Sequence, residues 1–293
     1  MASSMNSLRY GVIGVGMMGC EHIRNLQAIH GCSVVAFADP HGPSRDAANS
    51  LVGDATGYRD YLEMLASEQL DVVVVATPNN THRHVLEDVL KTGLHVLVEK
   101  PLCISTQQCR EIIEIERQTH KPGRVVWVGL EYRFMAPTRE LVSEVEAGTC
   151  GELKMIAIRE HRFPFLQKVD NWNRFSKNTG GTLVEKCCHF FDLMNLLAKS
   201  TPISVYASGS QDVNHLDESY MGMKPDILDN AFVIVEYSNG IRGLLDLSMF
   251  AEGSRNEQEI SVVGNKAKIE ALVSESIIRI GTRVDGRAGV IER

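Results

Sequence analysis

Glu185, His189 and Asp192 are residues whose types and spacing could do chemistry. They close the stretch Gly180-Gly181-Thr182-Leu183-Val184-Glu185-Lys186-Cys187-Cys188-His189-Phe190-Phe191-Asp192. On a helix over 182–198 they fall at i, i+4 and i+7 and form one polar stripe, while Leu183, Phe190, Met194 and Leu197 supply the packing face. An acid beside an imidazole can orient it to accept a proton, and a second acid can bind a substrate hydroxyl. The competing reading is structural, since a lone histidine on an apolar helix more often completes a core. Glu and His at i, i+4 also suit a metal ion, but two ligands are too few and no third stands out, so no metal is expected. Lys100 is the other candidate. It lies in Glu99-Lys100-Pro101 at the end of the apolar run 94–99, where it is either a surface lysine or one poised at a strand's carboxyl end. Pro101 stops the ladder there, and the sequence leaves its isomer open.

A third constellation concerns binding. The run Tyr10–Val15 meets Gly14, Gly16 and Gly19, spaced G-x-G-x-x-G, and Met17 and Met18 fill the turn. Ile23, Leu26 and Ile29 follow at helical spacing, and a second apolar run, 33–38, ends in Asp39. Strand, glycine turn, helix, strand and acid in this order predict a dinucleotide site. Gly14 permits the turn, Gly16 lets the backbone approach a pyrophosphate, and Gly19 lets the helix lie close to the strand. The positive end of the helix then faces the phosphates. Asp39 stands where a carboxylate accepts hydrogen bonds from ribose hydroxyls. A 2′-phosphate beside that charge is repelled by about 1–4 kcal/mol at effective dielectrics of roughly 80 to 20, which favours NAD over NADP. Arg45 and His41 are close enough in sequence to offset part of this.

The elements that must hold these groups change character along the chain. Apolar runs at 8–15, 33–38, 71–76, 94–99 and 124–130 alternate with helical patterns near 18–29, 43–52, 58–67, 81–92 and 105–120, the last with a capping box of Ser105 and Gln108. That alternation predicts a doubly wound parallel sheet with helices on both faces. Its ligand rim collects the carboxyl ends of the strands, hence Thr77-Pro78-Asn79 and Glu99-Lys100-Pro101. Beyond about residue 125 come a helix (137–147), a strand (153–163), a polar irregular stretch (164–179), the helix 182–198, and strands at 203–210, 230–237, 241–249, 257–263, 266–272 and 275–280. Short turns such as Ser238-Asn239-Gly240 predict a large, mainly antiparallel sheet. The chain therefore divides into an α/β dinucleotide-binding domain, 1–125, and an α+β domain, 126–293.

Composition narrows the partners. With 293 residues, 44% hydrophobic, the chain suits two globular domains. A net charge of −7 without a basic run argues against nucleic acid or anionic lipid. MASSMNSLRY has no apolar signal core, and stretches such as Val72–Ala76 are too short to span a membrane. Seven cysteines form no C-x-x-C pair, which points to reduced thiols and a cytoplasmic setting.

Together, the glycine turn 14–19, Thr77-Pro78-Asn79 with His82, Glu99-Lys100-Pro101, and Gly180-Gly181 through Glu185, His189 and Asp192 resemble the glucose–fructose oxidoreductase and inositol dehydrogenase family (Gfo/Idh/MocA), over residues 8 to about 280. The resemblance implies a Rossmann domain, an open sheet whose far face often mediates homo-oligomers, and a cleft for a sugar, inositol or related polyol. It implies an NAD(P)-dependent dehydrogenase in which Lys100 is the active-site lysine, His189 exchanges the hydroxyl proton and Glu185 is the preceding acid. Asp192 and Arg133 become substrate contacts, and His161 and Asn173 lie where such contacts vary. Glu185 stands where the family usually has Asp, one methylene shorter. Family members also generally continue with a further segment, so the end at Arg293 predicts a truncated or compact form. Two other functions share the fold: a non-catalytic dinucleotide-binding regulator and an NAD-dependent glycosidase.

Overall fold

The computed structural model describes residues 7–293; residues 1–6, part of the segment read above as lacking a signal core, lie outside them. The chain divides into two compact units, 1–129 with 167–180, and 130–166 with 181–293.

The first unit alternates strands and helices: β1 (Leu8–Ile13), α1 (Met17–Ala28), β2 (Cys32–Ala38), α2 (Gly42–Leu51), β3 (Thr56–Tyr58), α3 (Tyr61–Ser67), β4 (Val72–Val75), α4 (His82–Thr92), β5 (His95–Glu99), α5 (Thr106–Gln118) and β6 (Val126–Gly129). The strands pair in parallel in the order β3-β2-β1-β4-β5-β6, the doubly wound arrangement expected. Of the strands in this sheet, β3, three residues long, was not legible in the sequence. Strand alternation feeds two cores. Val12 and Val74 pack with Ile23, Leu26 and Phe37 on one face. Ile13, Val73 and Val75 pack with Leu86, Val89, Leu90 and Ile112 on the other. Each such side chain contributes about 1.5–3 kcal/mol of burial, so both helix layers are fixed by the pattern of the strands. Ser105 caps α5 as expected, its Oγ accepting from the Gln108 N–H at 3.3 Å. The segment 167–180 holds a 3₁₀ stretch, Val169–Arg174, and α7 (Ser176–Thr179). Asp170 and Asn171 there both adopt φ of 52°, a left-handed conformation that these short polar residues tolerate.

The second unit contains α6 (Ala136–Glu146), β7 (Leu153–His161), α8 (Thr182–Glu185), α9 (Cys188–Ala198), β8 (Pro202–Ser210), β9 (Asn230–Tyr237), β10 (Arg242–Ser248), β11 (Gln258–Gly264), β12 (Ala267–Leu272), β13 (Ile277–Thr282) and β14 (Ile291–Glu292). The sheet order is β14-β13-β12-β11-β7-β10-β9-β8, antiparallel except for the parallel pair β7·β10. Phe190, Leu193, Met194 and Leu197 of α9 pack with Ile156, Ile158, Val233, Leu245 and Ile260 from one face of the sheet. On the other face Met155, Tyr206, Phe232, Ile234 and Leu244 are exposed.

The expected single helix over 182–198 is interrupted. Lys186 and Cys187 form a turn between α8 and α9, where the Cys187 N–H reaches back five residues to the Thr182 carbonyl at 3.3 Å. This step shifts the helical phase, so Glu185, His189 and Asp192 do not form one unbroken stripe. Lys186, within this turn, has its ammonium buried against Glu160.

Candidate active site

In the first unit the binding elements meet where the sheet order reverses, between β1 and β4, the usual ligand position of such sheets. Gly14, with φ of +84°, passes so close to β4's exit that a Cβ there would lie 2.7 Å from the Ala76 carbonyl and the Thr77 nitrogen. A Cβ on Gly19 would lie 2.0 Å from the Gly14 carbonyl oxygen, so this glycine is needed for the helix to sit on the turn. Gly16 differs: a Cβ there would meet nothing within 4 Å. Packing does not require that glycine, and the space beside it is open to an approaching pyrophosphate. α1 begins at Met17 with no acid in its first turn, which leaves its positive end uncompensated for an anion.

Asp39 closes the same loop. Its Oδ2 accepts from the Val15 N–H at 2.9 Å and its Oδ1 from the His41 N–H at 2.8 Å. A carboxylate accepts about four hydrogen bonds, so capacity remains for two ribose hydroxyls. Arg45 donates through Nη1 to the Asp39 and Pro40 carbonyl oxygens, at 2.7 and 3.0 Å, and is thereby engaged with the backbone. The residues present fit NAD.

At the next strand ends, His82 is buried, with Nδ1 2.9 Å from the Pro101 carbonyl oxygen and Nε2 3.0 Å from that of Thr77. It ties the Thr77-Pro78-Asn79 turn to the Lys100–Pro101 turn, whose peptide bond is cis. Burial pushes its pKa down against the pull of the carbonyl oxygens, so the neutral ring is favoured. Asn79 Nδ2 donates to the Thr179 carbonyl at 3.5 Å, anchoring the 167–180 segment that also carries the buried Asn173. Glu99 bonds His22 on α1, Oε1 to Nε2 at 2.7 Å, and accepts the Lys100 N–H at 3.2 Å. Burial pushes its pKa up, but His22 and Lys100 outweigh it and hold the carboxyl below its ordinary value. His22, three residues past Gly19, escaped the sequence reading.

In the second unit His189 is 2% exposed. Its ring stacks on Tyr132, centroids 4.3 Å apart and planes 11° from parallel, and its Nε2 lies 3.5 Å from Glu131 Oε1, a side chain 57% exposed. The imidazole is thus gripped on its face and directed toward the surface. Arg133 makes a two-pronged pair with Asp192, Nε to Oδ2 and Nη2 to Oδ1, and Asp192 holds the guanidinium above its ordinary pKa. Glu185 is buried at the end of α8. The structure does not bring His161 into this group. Strand alternation turns it to the opposite face of the sheet, where Nε2 lies 2.8 Å from Asp246 Oδ1. Its neighbour Glu160 takes the inward position, in phase with Ile156 and Ile158. An acid at an apolar register position was the signal that could have revealed it. Among the described residues no three His, Cys, Asp or Glu side chains are grouped as metal ligands.

A dinucleotide cradle at the switch point of a parallel sheet, with an oriented imidazole and an arginine–carboxylate pair in the companion unit, defines an oxidoreductase that uses a nicotinamide nucleotide. The oxidoreductase family with an NAD-binding Rossmann fold matches residues 8–130, and its C-terminal alpha/beta domain matches residues 142–288. The chain belongs to this family, Gfo/Idh/MocA, as its motifs implied. An inositol 2-dehydrogenase of Corynebacterium glutamicum is 30% identical over 276 residues, 94% of this chain and 74% of that protein. A myo-inositol 2-dehydrogenase of Thermotoga maritima is 28% identical over 264 residues, 90% of this chain and 75% of that protein. The structure of a levoglucosan dehydrogenase with NADH and levoglucosan superposes with a TM-score of 0.85 at 18% identity, over 98% of this chain and 79% of that one, a likeness of fold.

Proposed function

We propose that this NAD-dependent oxidoreductase oxidises a secondary hydroxyl of an inositol, sugar or related polyol, with His189 as the proton acceptor. The observation that carries the reading is the imidazole itself, clamped by the Tyr132 ring and aimed through Nε2 toward an acid at the surface. The names of the two inositol dehydrogenase relatives support the substrate class.

Bound NAD supplies the acceptor for the hydride that leaves the carbinol carbon. His189 takes the hydroxyl proton, and Lys100 stabilises the negative charge that develops on that oxygen. Glu185 orients the imidazole. Arg133 and Asp192, already paired, bind further hydroxyls through the donors and lone pairs their pairing leaves over, and Asn173 is a further polar contact. The glycine turn with Met17 and Met18, Asp39, Thr77, Pro78, Asn79, His82 and Glu99 hold the cofactor and shape its rim. His189→Ala should lower kcat by about 10²–10⁴ while the NAD dissociation constant, followed by fluorescence quenching, stays unchanged. Turnover at the wild-type rate would return His189 to a structural role.

Two wider features belong with this reading. Tyr206, Phe232, Ile234 and Leu244 form an exposed apolar stripe across β8, β9 and β10, which supports a homo-oligomer built on that face. Sedimentation should give a mass above that of one chain, and Phe232→Lys with Ile234→Lys should reduce it to one; a monomeric wild type contradicts this. No helix among the described residues is long and apolar enough to cross a membrane; the cytoplasm is the proposed setting, where seven cysteines outside any disulfide would stay reduced.

A further inference from the structure

We propose that Glu160, Lys186 and Tyr132 form a brace that fixes the plane of the His189 ring, so that the three are positioning residues for the proton transfer; the proposal rests on the role given to His189 above. Glu160 is fully buried, and Lys186 is 6% exposed. The Lys186 ammonium lies 2.9 Å from Glu160 Oε1 and donates to Tyr132 Oη at 2.6 Å. It also sits 4.8 Å from the centroid of the Tyr132 ring and 5.8 Å from that of Phe190. Arg162 Nη1 approaches the same Glu160 oxygen at 3.5 Å. Tyr132, held at its hydroxyl and edged by Phe190 at 5.5 Å, presents its face to His189.

Stability alone gives a weak reason for this arrangement. Desolvating an ammonium and a carboxylate costs much of what their attraction returns, and an apolar pair of similar volume commonly holds a core as well. An apolar pair cannot, however, anchor a phenol hydroxyl. The ammonium spends one N–H on Glu160 and another on Tyr132, so the carboxylate, the cation and the phenol fix one another's directions. The stacked imidazole then has its plane set by Tyr132. A proton acceptor misplaced by about 1 Å loses on the order of 10²-fold in rate, which makes such a brace worth its buried charges. Lys186 shares the inward face of Phe190 and Leu193, which stand at i+4 and i+7 from it, so the helical register itself points the ammonium at Glu160.

The test compares kcat per NAD-binding site, Tm, and the ring-proton NMR signals of His189, assigned by their loss in His189→Ala. Substrates are myo-inositol and NAD+; variants are Tyr132→Phe, Lys186→Met and the double Glu160→Gln with Lys186→Met. Lys186→Met leaves the buried Glu160 carboxylate with only the longer Arg162 contact and should lower Tm. The double variant removes both charges and should regain Tm, yet kcat per site should stay about ten- to a hundredfold down with the myo-inositol KM within about twofold. The ring-current shift of His189 should diminish with it. Tyr132→Phe keeps the stacked ring, loses only the hydroxyl, and should lower kcat severalfold with NAD binding intact. Recovery of kcat together with Tm in the double variant, wild-type kcat in Tyr132→Phe, or an unchanged His189 signal in the double variant would each overturn the brace. Wild-type turnover in His189→Ala, or none by the wild-type protein with myo-inositol or any aldose or diol put in its place, would instead strike the function proposed above, and the NMR comparison would still decide the brace.

Discussion

Asp39 couples two tasks, since its carboxylate accepts the Val15 and His41 N–H groups and has lone pairs left for a ribose. Its charge is the term that disfavours a 2′-phosphate. Asp39→Ser should therefore narrow the preference for NAD+ over NADP+ by about one to three orders of magnitude, read as the ratio of kcat/KM for the two cofactors. An unchanged ratio would remove Asp39 from the adenosine end. At this scale the sequence was informative wherever local spacing carries the chemistry. Gly14, Gly16, Gly19 and Asp39 are one motif in thirty residues, and Lys100 ends a recognisable strand. It was silent where partners come from distant parts of the chain. The His22–Glu99 bond spans 77 residues and the Arg133–Asp192 pair 59, and no local pattern announces either.

At the scale of elements, the glycine turn separates packing from binding. Gly19→Ala would force a Cβ to within 2.0 Å of the Gly14 carbonyl, so α1 must shift from the turn; a loss of about 1–3 kcal/mol or more is expected, seen as a lower Tm. Gly16→Ala meets nothing in the protein and should leave Tm unchanged while weakening NAD binding at least tenfold. Equal effects of the two on Tm, or unaltered NAD affinity in Gly16→Ala, would contradict the division. The sheets were legible because continuous apolar runs such as Val72–Val75 mark strands covered on both faces, while alternation such as that of Asn230–Tyr237 marks a strand covered on one. The broken helix was not. Leu183, Phe190, Met194 and Leu197 keep a helical spacing across residues 186–187, and the interruption shows only in the backbone bond from Cys187 to Thr182. His161 illustrates the same limit, because a one-residue difference in strand phase decides that Glu160 and not its neighbour faces α9.

Across the whole molecule, acid should loosen the fold through the groups that tie the cofactor rim together. Burial lowers the His82 pKa from 6.5, so the unfolded chain takes up a proton that the folded one resists, and stability present above that value falls as pH drops through the folded pKa. Glu99, held below 4.5 by His22 and Lys100 despite its burial, adds a second loss at lower pH with the same sign. Tm should be highest near neutrality and decline from about pH 6.5 downward, with a shallower decline in His82→Gln; identical pH profiles for the two proteins would contradict this origin. The proposed chemistry draws on both compact units, since Lys100 belongs to one and His189 to the other. The most direct measurement is reduced-cofactor absorbance over a panel of inositols, aldoses and simple diols with NAD+, run on the wild type, Lys100→Met and His189→Ala. Turnover of at least one polyol, lost by about 10²-fold or more in both variants without loss of NAD binding, is the predicted result. NAD binding with no turnover of any polyol, or turnover that survives both substitutions, would contradict it.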